Sequence, residues 1–149
     1  YDNVRVGINS RLDTIQASVL LNKLDIFDNE LKKRNDIANY YSENLSELLV
    51  VPYIEEHNKS SLAQYSLLAN SEKDRNNLVD FLNKNGIPTA IFYKKIFSDL
   101  DIYKNNITDF FPISKEASKG IFSIPMHPYL EKKELNKIVN NIKIFFKEC

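Results

Sequence analysis

RVGINSRLDTIQASVLLNKL, Arg5 to Leu24, opens as a polar turn and runs without a break into a helical pattern. One of the chain's three glycines, Gly7, stands in the turn, followed by Asn9 and Arg11. Asn9 offers amide hydrogens and Arg11 a planar charged fork, and a helix begins immediately behind them. The plain reading is a turn with a cap, in which Asp13 or Ser10 takes up the free amide hydrogens of the first helical turn. The sharper reading is an anion site. The local sequence carries both.

Outward from this stretch, apolar residues recur at Leu20, Leu24, Phe27, Leu31, Ala38, Tyr41, Leu45 and Leu48, with Arg34 the polar interruption. That spacing of three and four predicts one long helix over residues 14–48. Ile15, Val19 and Ile26 form a second strip on it, so this helix is expected to pack on more than one partner. Val50-Val51-Pro52-Tyr53 reads as a short edge strand, because proline cannot donate to a sheet ladder. Leu62 to Ala69, LAQYSLLA, is the best strand candidate. Ser71-Glu72-Lys73-Asp74 reads as a capping box opening a helix that ends at Asn85-Gly86. PTAIFY (88–93) and IFSIP (121–125) read as strands, with short and long helices over 112–119 and 130–147. The fold class expected is α/β, more closely an α+β small domain. A long leading helix precedes three or four mostly antiparallel strands covered by helices on one face.

At 149 residues the chain is one ordinary domain, large enough for a real core. Twenty basic residues balance twenty acidic ones, so nothing points to nucleic acid or an anionic membrane surface as partner. No apolar run is long enough to span a membrane. A single cysteine, Cys149, cannot form an internal disulfide and fits a reducing cytoplasm. His57 and His127 are the only histidines and lie far apart, so no metal site is expected. No nucleophile elbow and no glycine-rich phosphate loop occurs. The carboxylate pairs Glu55-Glu56 and Asp99/Asp101 read as solvated loop residues. The chain opens on Tyr1 rather than Met and is read as a fragment or processed product.

GINSRLDTIQASVLLNKL resembles the signature Gly-x-Asn-x-Arg-(Leu/Met)-(Asp/Ser)-x-(Ile/Leu)-Gln-Ala-Ala of the DegT/DnrJ/EryC1/StrS nucleotide-sugar aminotransferases. AQYSLLA, LNKNGIPTAIFY and FSIPMHPYL resemble later blocks of the same family, in the same order, so the likeness spans nearly the whole chain. The resemblance implies a fold type I enzyme that uses pyridoxal 5'-phosphate, of which this chain is the C-terminal part. It divides the chain into an active-site loop (1–13), a long interdomain helix (14–48) and a small C-terminal α/β domain (49–149). It implies an N-terminal large domain that supplies the lysine bound covalently to the cofactor, and a homodimer with its active site at the interface. No lysine of this chain matches that position, so no catalytic residue is expected here and the chain alone should be inactive and bind no cofactor.

By the same resemblance Asn9 reaches across the dimer to the cofactor phosphate, and Arg11 meets substrate or phosphate anions at the shared site. Tyr93 is the expected contact to the nucleotide-sugar substrate. Where many members read His-Tyr-Pro-x-Pro-Leu-His-x-x-x-x-Tyr, this chain reads FYKKIFSDLDIY. Tyr93 and Tyr103 match, while Phe92, Lys94, Ile96 and Ser98 replace His, Pro, Pro and His. Phe92 neither donates nor titrates, which points to a different substrate or to a grip through Lys94 or Lys95. His127, between Pro125 and Pro128, reads as a turn residue. The implied activity is transfer of an amino group, with glutamate the expected donor, to a keto-sugar nucleotide in surface-polysaccharide biosynthesis. Two other readings stay open: a non-transaminating member that dehydrates the sugar, and a stand-alone binding module.

Overall fold

The computed structural model describes residues 10–103 and 110–148. Helix α1 (Thr14–Leu45) leads, followed by strand β1 (Tyr65–Leu68), helix α2 (Glu72–Lys84), helix α3 (Pro112–Gly120), strand β2 (Ile121–Ile124) and helix α4 (Lys132–Glu148). A 3-10 turn, Phe97–Asp99, lies between α2 and α3. The α/β class and the long leading helix are as expected.

The helix ends follow from local chemistry. Asp13 caps α1, its carboxylate accepting the Gln16 amide at 2.8 Å. Ser71 caps α2: its hydroxyl accepts the Asp74 amide at 3.1 Å and donates to the Asp74 carboxylate at 2.7 Å. Gly86 takes φ +69° just beyond α2, a left-handed backbone that a side chain would strain.

The sheet is narrower than the sequence predicts. β1 and β2 pair antiparallel with Tyr65 opposite Ile124 and Leu67 opposite Phe122. In place of outer strands stand two single-residue bridges, Val50 to Leu68 and Ala90 to Ser123. Their backbones exchange both hydrogen bonds, and then pairing stops. Prolines explain this. Two residues beyond Val50 the next donor would be Pro52, and two residues before Ala90 the next pair would join Pro88 to Pro125. On the other side of Ala90 the amide of Ile121 is already committed to Ala117 at the end of α3. Four lanes of chain therefore lie side by side, but only the central two are strands.

One face of this sheet is the core. Tyr65, Leu67, Phe122 and Ile124 point into it and meet Leu78 and Leu82 of α2, Val139 and Ile142 of α4, and Tyr41 and Leu45 of α1. The Tyr41 ring stacks at a tilt on Tyr65, centroids 5.0 Å apart. Its hydroxyl donates to the Pro125 carbonyl at 3.0 Å, tying α1 to the segment after β2. Burial pushes the Tyr41 phenol well above its ordinary range, with lesser contributions from Tyr65, Glu134 and Tyr40, so it stays a donor. Two further polar contacts join α1 to α4: Tyr40 to Asn136 at 2.6 Å and Lys143 to Asn44 at 2.8 Å.

Two substitutions test this packing by denaturant titration. Tyr41→Phe leaves the Pro125 carbonyl without its buried donor and is expected to cost about 1–3 kcal/mol. At Gly120 an added Cβ would meet the Ala69 carbonyl oxygen at 2.3 Å, where backbone must shift. Gly120→Ala is expected to cost about 1–3 kcal/mol. An unchanged midpoint for either variant would contradict the corresponding contact.

Candidate functional site

α1 has two unlike halves. From Ile37 onward its inward residues, Ile37, Ala38, Tyr41 and Leu45, are fully packed. Ahead of Glu30 it stands out as an arm. Leu12, Ile15, Val19, Leu21 and Leu24 are all exposed, Ile15 by 79% of its surface. This is the stretch in which the sequence shows apolar residues on more than one side. A helix that is apolar on more than one side is ordinarily a covered one.

Arg11 lies at the tip of that arm, exposed, two residues ahead of the Asp13 cap. The cap matters for the anion reading. The Asp13 carboxylate occupies the Gln16 amide, one of the free N–H groups of the first helical turn. Arg11 stands exposed beyond that cap. Asn9 and the Gly7 turn lie outside the described residues.

Tyr93 sits on a different element, three residues past the Ala90 bridge. It is 71% exposed, while its neighbour Phe92 is half-buried and stands edge-on to it at 5.5 Å. Phe92 lines a shallow cavity of about 250 Å³ with Gln64, Thr89, Ser123 and Met126. Lys94 and Lys95 follow, both exposed. Tyr93 and two cations thus share one surface beside an apolar recess, where Phe92 supplies bulk and no proton chemistry. Arg11 and Tyr93 belong to separate parts of the molecule, the arm and the domain.

The other residues weighed from sequence do not build a centre. His57 and His127 are exposed. The His127 ring accepts the Tyr129 amide at 3.3 Å, the work of a turn residue. Among the described residues no group of three or more His, Cys, Asp or Glu converges on a metal position. Among them, too, no helix is long and apolar enough to cross a membrane.

Two buried charges escaped the sequence reading. Arg75 is 1% exposed and donates to Glu72 at 3.0 Å, Asn76 at 2.8 Å and the Ile121 carbonyl at 3.4 Å, tying α2 to β2. Glu30, 6% exposed, accepts hydrogen bonds from Lys23 and from the Tyr129 hydroxyl. A signal for Glu30 does exist in the sequence. It continues the second apolar strip of α1, four residues past Ile26 and seven before Ile37. A carboxylate in that place needs partners.

Comparison with known proteins gives this arrangement its context. The profile of the DegT/DnrJ/EryC1/StrS aminotransferase family matches residues 1–143. The UDP-2-acetamido-2-deoxy-3-oxo-D-glucuronate aminotransferase of Pseudomonas aeruginosa is 34% identical over 93% of this chain and 38% of its own length. The dTDP-3-amino-3,6-dideoxy-alpha-D-galactopyranose transaminase of Aneurinibacillus thermoaerophilus is 28% identical over 95% of this chain and 39% of its own. Among solved structures, a DegT DnrJ EryC1 StrS aminotransferase from Brucella abortus superposes with a TM-score of 0.88. It shares 42% identity over 97% of this chain and 39% of that one. The chain thus spans about two-fifths of the length of the proteins it matches. With the profile covering nearly all of it, this chain belongs to the DegT/DnrJ/EryC1/StrS aminotransferase family.

Proposed function

We propose that this chain is the C-terminal part of a pyridoxal phosphate-dependent aminotransferase that moves an amino group, with glutamate as donor, onto a 3-keto sugar nucleotide. The observation that carries the reading is the bare apolar arm of α1 with a cationic tip. An arm of that composition is stable when covered, and the cover proposed is the N-terminal large domain and a second copy of the protein. The two relatives named above act, by their names, on a 3-oxo and a 3-amino nucleotide sugar, which supports the 3-keto class. The setting proposed is surface-polysaccharide synthesis in the cytoplasm.

The donor chemistry of the described residues fits the cofactor's phosphate. Arg11 presents a guanidinium at an exposed tip, a planar charged fork that suits a phosphate. Asn9 is proposed as the amide donor to that phosphate and Arg11 as the cation for phosphate or substrate anions. When bound, the cofactor supplies an electron sink for the carbon bearing the amino group. The part left to this chain is to bind and orient. Tyr93 gives a hydroxyl to the sugar nucleotide. Lys94 or Lys95 supplies positive charge beside it, in the place of the histidine and proline chemistry many family members carry.

The test uses the full-length protein. Folded and dimeric, it should show the cofactor's visible absorbance and glutamate-dependent amination of a 3-keto nucleotide sugar. A folded dimer with neither would sink the proposal. Asn9→Ala should weaken cofactor retention about tenfold to a hundredfold, the loss of one charge-assisted hydrogen bond of about 1.5–3 kcal/mol. Unchanged retention, measured by dialysis and absorbance, removes Asn9 from the site. The 149-residue chain by itself should give no turnover, and any measurable rate from it would contradict the division of labour proposed.

A further inference from the structure

Glu30 marks the point where α1 leaves the domain. C-terminal to it the helix is packed, beginning with Ile37, and N-terminal to it the arm is bare. Its carboxylate is gripped from two directions. Lys23, two turns back on the arm, donates at 2.5 Å, and Tyr129, in the segment between β2 and α4, donates through its hydroxyl. The ammonium groups of Lys23 and Lys33 stand 5.9 and 5.8 Å from the Tyr129 ring centroid, bracketing it with positive charge. The Tyr129 segment is tied to the domain at its start, where Tyr41 donates to the Pro125 carbonyl, and the Tyr129 amide donates to His127 within it. The next contacts along the helix, Arg34 to Leu62 and Asn35 to Ser60, are long at 3.4 and 3.5 Å.

Geometry gives this grip leverage. At a rise of about 1.5 Å per residue, Thr14 lies about 24 Å from Glu30, so a swing of about 10° moves the tip about 4 Å. Bound groups that must react tolerate misplacement of only about 1 Å. Arg11 rides on the arm and Tyr93 on the domain, so whatever fixes the arm against the domain fixes the distance between them. We propose that Glu30, held by Tyr129 and Lys23, is a positioning clamp that sets the domain bearing Tyr93 against the arm bearing Arg11. Lys23 first, then Tyr129, holds the Glu30 carboxyl below its ordinary range, which keeps the acceptor charged. Neither Glu30 nor Tyr129 touches the reacting groups in this account.

The catalytic readout rests on the aminotransferase reading, so a second readout is independent of it. In the full-length protein, Glu30→Gln and Tyr129→Phe should each raise the KM for the sugar nucleotide about fivefold to tenfold. The half-reaction with the amino donor alone, followed by the cofactor's absorbance, should keep its rate. The double variant should be less impaired than the sum of the two single ones, because both act on the Glu30–Tyr129 contact. Hydrogen exchange should quicken in residues 20–30 and 126–131 and nowhere else. Equal slowing of both half-reactions, additive losses or unchanged exchange would each overturn the clamp. If the unaltered protein shows no amino transfer, the functional reading fails on its own. Exchange then decides: faster exchange at both segments supports the clamp, and unchanged exchange overturns it.

Discussion

One helix is asked to satisfy two environments, and the rest of the molecule follows from how it divides. The C-terminal part of α1 buries Ile37, Ala38, Tyr41 and Leu45 against the sheet and α4. The N-terminal part presents Leu12, Ile15, Val19, Leu21 and Leu24 to solvent. Covering a large aliphatic side chain is worth about 1.5–3 kcal/mol, so an arm with this many has a driving force on the order of ten kcal/mol toward a partner. Helical propensity alone would leave such an arm marginal. The apolar excess is thus the physical feature on which the proposed assembly rests.

The division also explains why no complete site is visible. Arg11 sits at the far end of the arm, and Tyr93, Lys94 and Lys95 sit on the domain. The cavity beside Phe92 is shallow and open. Asp13 caps α1 through the Gln16 amide, and Arg11 stands exposed beyond that cap. On the proposed reading, a pocket formed where arm, large domain and second copy meet draws donors from each. The described residues of this chain supply binding and geometry to that pocket.

Much of the fold was legible because it is local. The Asp13 and Ser71 caps, the glycine stop at Gly86 and the three-four spacing of α1 are decided within a turn or two of chain. The outer strands were over-read. Val50-Val51 and PTAIFY have strand composition, but the ladder positions that would extend them fall on Pro52, Pro88 and Pro125, or on an Ile121 amide already used. Seeing that requires the register, which comes from pairing between distant segments. The Glu30–Tyr129 contact joins residues 99 apart and was beyond reach for the same reason. Of the residues expected at the site, Arg11 and Tyr93 are exposed, and Asn9 falls outside the described residues.

On the proposed reading, this chain lends Asn9 and Arg11 to a pocket whose reactive lysine belongs to another copy. Subunit complementation in the full-length protein tests it most directly. One variant carries Asn9→Ala and Arg11→Ala with the cofactor-binding lysine intact, and the other lacks that lysine but keeps Asn9 and Arg11. Each should be nearly inactive alone. If the turn acts across a twofold interface, mixing and re-associating the two in equal amounts should restore about a quarter of the original activity, one working pocket in half of the dimers. If the mixture stays as inactive as its components while hybrid dimers form, the turn does not serve a neighbour's pocket and the account is wrong.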